Sequence, residues 1–307
     1  MKCEQITDKG FRWKYWPCKT KSDKTIIVVL GGATDAGLLS KAAIKCMHDF
    51  GGNAVTFVPV NEQDVYDGWH DFPLEHIETI ADYHLAHGNR VVGIAGASTT
   101  SLVSLAAASH IPQLSLVLSF ATEDYNTEGF YMDNQVKNGI GMRPANGHSM
   151  LTWRGQPLPF SPTGLTDQGM ADLMPMKKDG NMIDALGICR FYESLPGFEE
   201  ALHPMENSHA LICAFGADTD RGCNSGDMVR RMEKRLKDHD YSYGMEMHVY
   251  PVCSHYQFPE TMIRKLLPVG SQFVMGKLWA IEKTNPKECV AARRDIDRIV
   301  RRVVAAW

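Results

Sequence analysis

Residues Val91 to Ala108 read VVGIAGASTTSLVSLAAA. The first five, Val91 to Ala95, form the continuous apolar run expected of a strand buried on both faces. Gly96, Ala97, Ser98, Thr99 and Thr100 follow, all small, and then a helix-like run rich in Leu, Val and Ala. A serine on so sharp a strand-to-helix turn has the geometry of a nucleophile elbow, where small neighbours let strand and helix approach closely. Gly96 and Ser98 match the GxSxG pattern, whereas Thr100 stands where the second glycine belongs. A plain βα turn capped by serine would use similar residues, so the weight falls on what surrounds the stretch.

Outward from it, strands and helices alternate. Thr25 to Leu30 is a β-branched run, Leu38 to Phe50 reads as a helix, and Ala54 to Val60 is the next strand, giving a βαβ unit. Pro73 to His87 has helical apolar spacing, and Leu114 to Phe120 is a further buried strand. Between the first strand and helix lies GGATDAG, residues 31–37, which fits neither GxGxxG nor a Walker loop. Asp35 would repel phosphate, so this loop reads as an oxyanion loop, or as a plain tight turn, rather than a cofactor cradle. Residues 1–24 suggest peripheral strands or an arm on the main domain. The alternation predicts a mostly parallel central sheet with helices on both faces.

The pattern lapses over 121–208, which is rich in Gly, Pro and Met and shows no clear strands apart from a helix over 184–195. That is too long for a routine connection and predicts an inserted cap or lid over the serine, within one domain spanning 1–307. Strands return at His209 to Phe215 and Met245 to Tyr250, with a charged helix between them and a short helix over Thr261 to Leu267. The chain closes on a basic amphipathic helix, Glu288 to Trp307, whose arginines read as a solvated face.

Ser98, a carboxylate after one late strand, then His255 after the next: this is the chain order of an α/β-hydrolase triad. Histidine can take the serine proton and return it to the leaving group, while a carboxylate fixes its tautomer. Asp218 and Asp220 share the loop that follows His209 to Phe215, and only one need point inward; Glu123 and Asp124 are the next place to look. For the oxyanion hole the expected donors are the amides of Thr99 and of Gly32 or Ala33. Neither HExxH nor a Cys/His cluster with ligand spacing is present, so the expectation is no metal and no cofactor.

Composition bounds the partners. The 307 residues are 44% hydrophobic and 22% charged, with net charge −4, and show no basic patch interleaved with aromatics, which argues against nucleic acid. No apolar run approaches membrane-spanning length and residues 1–24 lack the apolar core of a signal peptide. The eight cysteines are scattered without CxxC pairs and read as free thiols, consistent with a cytoplasmic protein. Self-association into a homo-oligomer is left open.

Three stretches carry a family resemblance: VVLGGATDAGL (28–38), PLEHIETIADYHLAHGNRVVGIAGAST (73–99), and GADTDRGCNS through RRMEKRLKDH to VYPVCSHYQFP within 216–259. In these the chain resembles the dienelactone-hydrolase-like branch of the α/β-hydrolases. More closely, it resembles the catalytic domain of acyl-CoA thioester hydrolases and bile-acid-CoA:amino-acid N-acyltransferases. The resemblance implies Ser98 as nucleophile, His255 as base and, reading back from Arg230-Arg231-Met232, Asp220 ahead of Asp218 as acid. It departs from the family at Gly222 and Cys223, where a tryptophan is common. The implied function is a serine acyl hydrolase cleaving a small-molecule thioester or carboxylic ester, with acyl transfer to an amine or alcohol, or a non-catalytic binding protein, as alternatives.

Overall fold

The computed structural model describes residues 2–31, 37–58, 66–132 and 139–307. Its organising element is one eight-stranded sheet. The strands are β1 (Glu4–Asp8), β2 (Phe11–Trp16), β3 (Lys24–Val29), β4 (Asn53–Phe57), β5 (Val91–Ala97), β6 (Leu114–Phe120), β7 (Leu211–Ala217) and β8 (Met245–Tyr250). Their spatial order is β1-β2-β4-β3-β5-β6-β7-β8. Strands β3 to β8 run parallel, and β2 is antiparallel to both β1 and β4. The apolar runs are those of parallel strands covered on both faces: in β3 and β5 every residue between the ends is buried.

Two cores flank this sheet. One packs α2 (Glu75–Ala86), α3 (Thr99–His110) and α4 (Ser225–Asp238) through residues such as Ile77, Leu102 and Met232. The other packs α1 (Leu38–Asp49) and α5 (Pro286–Ala306) through Ile44, Met47, Ile296 and Val300. Strand order reverses between β3 and β5, so their carboxyl ends diverge into the crevice where open α/β sheets place ligands. Together these features define the α/β-hydrolase fold with an inserted cap.

The cap lies between β6 and β7. It is not strand-free, as its sequence suggested: Glu128–Met132 pairs antiparallel with Met142–Ser149, and Gly68–Trp69 joins the far side of Glu128–Met132. Leu151–Trp153 pairs with Phe72–Pro73, which shortens α2 at its start relative to the expected helix. These strands escape a periodicity reading because they are short and carry Pro144, Asn146 and Gly147, with an irregular register between Pro144 and Ser149. The cap also holds helices Asp167–Leu173, Leu186–Glu193 and Phe198–Ala201, and Met176–Lys178 paired antiparallel with Asn181–Ile183. Its own core, including Tyr125, Met170, Ile188, Tyr192 and Phe198, extends to Cys223 and Met228 of the sheet domain.

One expectation for the last helix is corrected. Arg293 is 1% exposed and bonds Glu260 at 3.0 Å and Glu282, itself buried. The helix therefore turns one arginine inward, to neutralise two carboxylates that the preceding helices bury. All eight cysteines are free thiols. Among the described residues no helix is long and apolar enough to cross a membrane.

Removing one partner of a buried ion network leaves an uncompensated charge, at a cost of about 3–5 kcal/mol. Arg293→Ala should accordingly lose about that much unfolding free energy in urea titration. A loss under about 1 kcal/mol would overturn the reading of Arg293 as the buried partner of Glu260 and Glu282.

Candidate active site

Ser98 stands between β5 and α3 with φ 54° and ψ −133°, a positive-φ conformation unusual for a residue with a side chain. Contacts around it show why the turn holds. A Cβ on Gly96 would lie 2.0 Å from the Thr100 carbonyl oxygen, so only glycine lets β5 and α3 meet there. Thr100, in the place of the second motif glycine, knits the turn from the other side. Its Oγ1 accepts from the Ala97 amide at 2.8 Å and donates to the Ala97 carbonyl at 3.0 Å. Room for its methyl comes from Gly31, at the end of β3, where a Cβ would sit 2.9 Å from Thr100 Cγ2. The glycine missing from the motif is thus matched by a glycine just beyond the neighbouring strand.

Two loops carry the acid and the imidazole. Asp220, 2% exposed, follows β7, and His255 follows β8. Nδ1 of His255 lies 2.9 and 3.1 Å from the two Asp220 carboxylate oxygens. An ionised carboxylate only accepts, so Nδ1 holds the proton and Nε2 keeps its lone pair. Asp220 also accepts from the Gly222 amide at 2.8 Å, Ser225 Oγ at 2.7 Å and Gln257 Nε2 at 2.8 Å. Burial by itself would raise its pKa, but the His255 charge and these donors outweigh burial and hold it below the usual range. For His255 burial works downward, and the Asp220 charge and hydrogen bond overcome it, raising the imidazole pKa above its ordinary value. Gly222 is needed for the approach, since a Cβ there would lie 2.3 Å from the His255 ring.

Asp218 is placed differently. Its carboxylate pairs with Arg230 at 2.7 Å, is 42% exposed and has no bond to His255. Asp124 is committed to Arg231, which grips both its oxygens at 2.7 and 2.8 Å. Glu123 reaches the centre: Ser98 Oγ donates to its Oε1 at 3.0 Å. Burial, first of all, pushes the Glu123 carboxyl up to about 7, against the lowering effect of the nearby His255.

Ser98, Thr99 and His255 lie where two apolar cavities meet. One, of about 320 Å³, runs beside β3 and α1 and is lined by Leu30, Met47, Phe120 and Phe258. The other, of about 170 Å³, lies under the cap among Phe130, Met142, Met170, Met174 and Tyr192, with Glu123 in its wall. The Thr99 amide opens α3, where the helix itself supplies no acceptor. Gly32 and Ala33 lie outside the described residues.

Two groups bring three metal-ligand atoms within 4.8 Å of one another among the described residues. One is Asp220, Cys223 and His255, the carboxylate–imidazole pair with a thiol that burial keeps protonated. The other, His70, Asp71 and His148, arises from cap pairing that the sequence did not reveal. Sequence reasoning also missed Ser225 and Gln257 as holders of Asp220, and placed Glu123 only as a reserve. Nothing in their spacing marks them, since they converge through loops.

No protein-family model and no curated protein matches the sequence. Solved structures do resemble it in fold. A candidate esterase from Staphylococcus aureus superposes with TM-score 0.50 at 12% identity, covering 92% of this chain and 82% of that one. A puromycin-hydrolysing peptidase from Mycobacterium tuberculosis gives TM-score 0.50 at 12% identity, covering 90% of this chain and 39% of that one. The esterase domain of a Rhodothermus marinus protein covers 96% of this chain and 99% of its own at 13% identity, with TM-score 0.44. At such identities the two superpositions with TM-score 0.50 bear on the fold alone, that of the α/β-hydrolases, and single out no branch of it.

Completing the motif should harm this elbow rather than improve it. Thr100→Gly removes two hydrogen bonds and a buried methyl and adds backbone entropy to the unfolded chain, so unfolding free energy should fall by about 2 kcal/mol. Equal or greater stability on chemical denaturation would refute this account of the turn.

Proposed function

We propose that this chain is a serine acyl hydrolase that cleaves a carboxylic ester or thioester through an acyl-enzyme. The observation that carries the reading is His255, held by Asp220 at 2.9 Å and lining the same two apolar cavities as a strained Ser98. Serine is a weak nucleophile unless a base takes its proton. In this reading Ser98 Oγ attacks the acyl carbon and its proton passes to Nε2 of His255. The developing imidazolium is stabilised by Asp220, whose own proton affinity is too low to accept the proton. Collapse of the tetrahedral adduct breaks the bond to the leaving group, which takes the proton from Nε2. Water then attacks the acyl-enzyme by the same route, releasing the acid and restoring Ser98.

The oxyanion is assigned to the Thr99 amide, at the positive end of α3, with Gly32 or Ala33 as second donor. The cap-side cavity is assigned to the acyl group and the larger cavity to the leaving group. Thioesters and oxygen esters share this chemistry, so either leaving atom fits the scheme. The cap, 121–208, is assigned as part of the same catalytic domain. No step calls on a metal or cofactor.

A fluorophosphonate probe should label the parent protein at Ser98, and Ser98→Ala should abolish both labelling and ester turnover. His255→Ala should cost about as much as Ser98→Ala, with the double variant little worse, because the two act as a unit. Asp220→Asn should lower kcat by roughly 10²–10⁴ with little change in KM, whereas Asp218→Asn should stay within about tenfold. An unlabelled parent, or a crippled Asp218→Asn beside a healthy Asp220→Asn, would overturn the assignment.

The pH profile gives a separate check. Only neutral His255 can accept the serine proton, so kcat/KM should fall as pH drops through the imidazole pKa. Because Asp220 raises that pKa, the midpoint should lie above the ordinary value of about 6.5. In Asp220→Asn the residual activity should show the midpoint displaced to lower pH.

A further inference from the structure

Glu123 is the feature the triad scheme leaves unused. It follows β6, with its amide accepted by Ser101 Oγ at 2.9 Å, and its carboxylate forms part of the cap-side cavity wall. The residue is half-buried. Its companions there are apolar or weakly polar: Leu102, Phe130, Met142, Met170, Ile183 and Ile188 among them. Among the described residues, the one hydrogen bond its side chain receives is from Ser98 Oγ. The nearest charged groups are His255, which favours its ionised form, and Asp220 and Asp124, which oppose it.

A carboxylate in such a cavity is expensive unless hydrogen-bonded. Among the described residues its single donor is the hydroxyl that must turn away to surrender its proton to His255. When Ser98 attacks, Glu123 is therefore left facing the acyl group without that donor. The acyl carbon becomes bonded to Oγ, so substituents one or two bonds beyond it occupy the space next to Oε1.

We propose that Glu123 determines acyl specificity, selecting small acyl groups that carry a hydrogen-bond donor, an amine or a hydroxyl, on the carbon next to the scissile carbonyl. The inference rests on the hydrolase reading above and names its substrate class. Such a donor replaces Ser98 on the carboxylate at the moment the hydroxyl leaves. An unsubstituted alkyl acyl group leaves the acceptor buried and bare. Size sets the other limit: a cavity of about 150 Å³ takes up a benzene ring, so the 170 Å³ here suits an acyl group of about six carbons.

The test uses 4-nitrophenyl esters of hexanoic, 2-aminohexanoic and 2-hydroxyhexanoic acids with the full-length protein and Glu123→Gln and Glu123→Leu. Sites that pair a substrate polar group discriminate strongly against analogues lacking it. For the parent, kcat/KM should therefore favour the amino and hydroxy esters over hexanoate by roughly tenfold or more. Intrinsic ester reactivity cancels when these ratios are compared between proteins. Glu123→Leu should bring both ratios down at least tenfold. Glu123→Gln, neutral but still an acceptor, should lose most of the amino preference and keep the hydroxy one. Fluorophosphonate labelling of Ser98 in each variant shows whether its site is intact. Ratios that are the same in parent and labelled variants overturn the role of Glu123 and leave the hydrolase reading standing. A parent that neither turns over any ester nor labels at Ser98 overturns both.

Discussion

Everything at the centre of this molecule depends on one close approach, that of β5 to α3 across Gly96. The turn that results holds Ser98 at a positive φ, and the strain is stored there because its neighbours over-determine the conformation. Thr100 binds the end of β5 through amide and carbonyl alike, and Gly31, two residues past β3, yields the space its methyl takes. A sheet whose order reverses between β3 and β5 sets these two strand ends beside an opening. The same turn that lifts Ser98 clear of the sheet also directs the first amides of α3 at the space beside it.

The carboxylate–imidazole pair shows a second form of the same economy. Asp220 is buried deeply enough that its charge would be costly alone, and donors from the backbone and from Ser225, Gln257 and His255 together reverse that cost. Asp218, two residues earlier, is drawn outward by Arg230 of α4. Two aspartates on one loop thus acquire opposite environments because a turn between them faces helix on one side and crevice on the other. The cap makes the third contribution. Its core reaches Cys223, in the loop that carries Asp220, so the cap and the acid loop are packed as one piece.

Much of this architecture could be read along the chain. Parallel strands buried on both faces appear as unbroken apolar runs, and β3, β5, β6 and β7 did so because each is covered by helices on either side. The serine and the aspartate pair were visible because each stands just beyond such a run, and the histidine because it follows the last strand, where the ends of parallel strands must converge. The cap was visible only as a lapse. Its strands are short, interrupted by Pro144 and Gly147, and stabilised by pairing with Gly68–Trp69 and Phe72–Pro73 far away in sequence. Periodicity cannot register a strand whose partner is remote and whose faces are mixed.

What the sequence determined alone was the order of the elements and the chemical types available at their ends. Burial periodicity and turn residues are local properties, and they suffice for that. Which carboxylate meets the imidazole, which arginine turns inward and which acid faces the serine were settled only in three dimensions. Asp220 over Asp218, Arg293 over its exposed neighbours, and Glu123 against Ser98 all depend on which groups lie across a gap from one another. Charge and hydrogen bonding act through space over a few ångströms, and loops of different length bring residues to that distance without leaving a mark in their spacing.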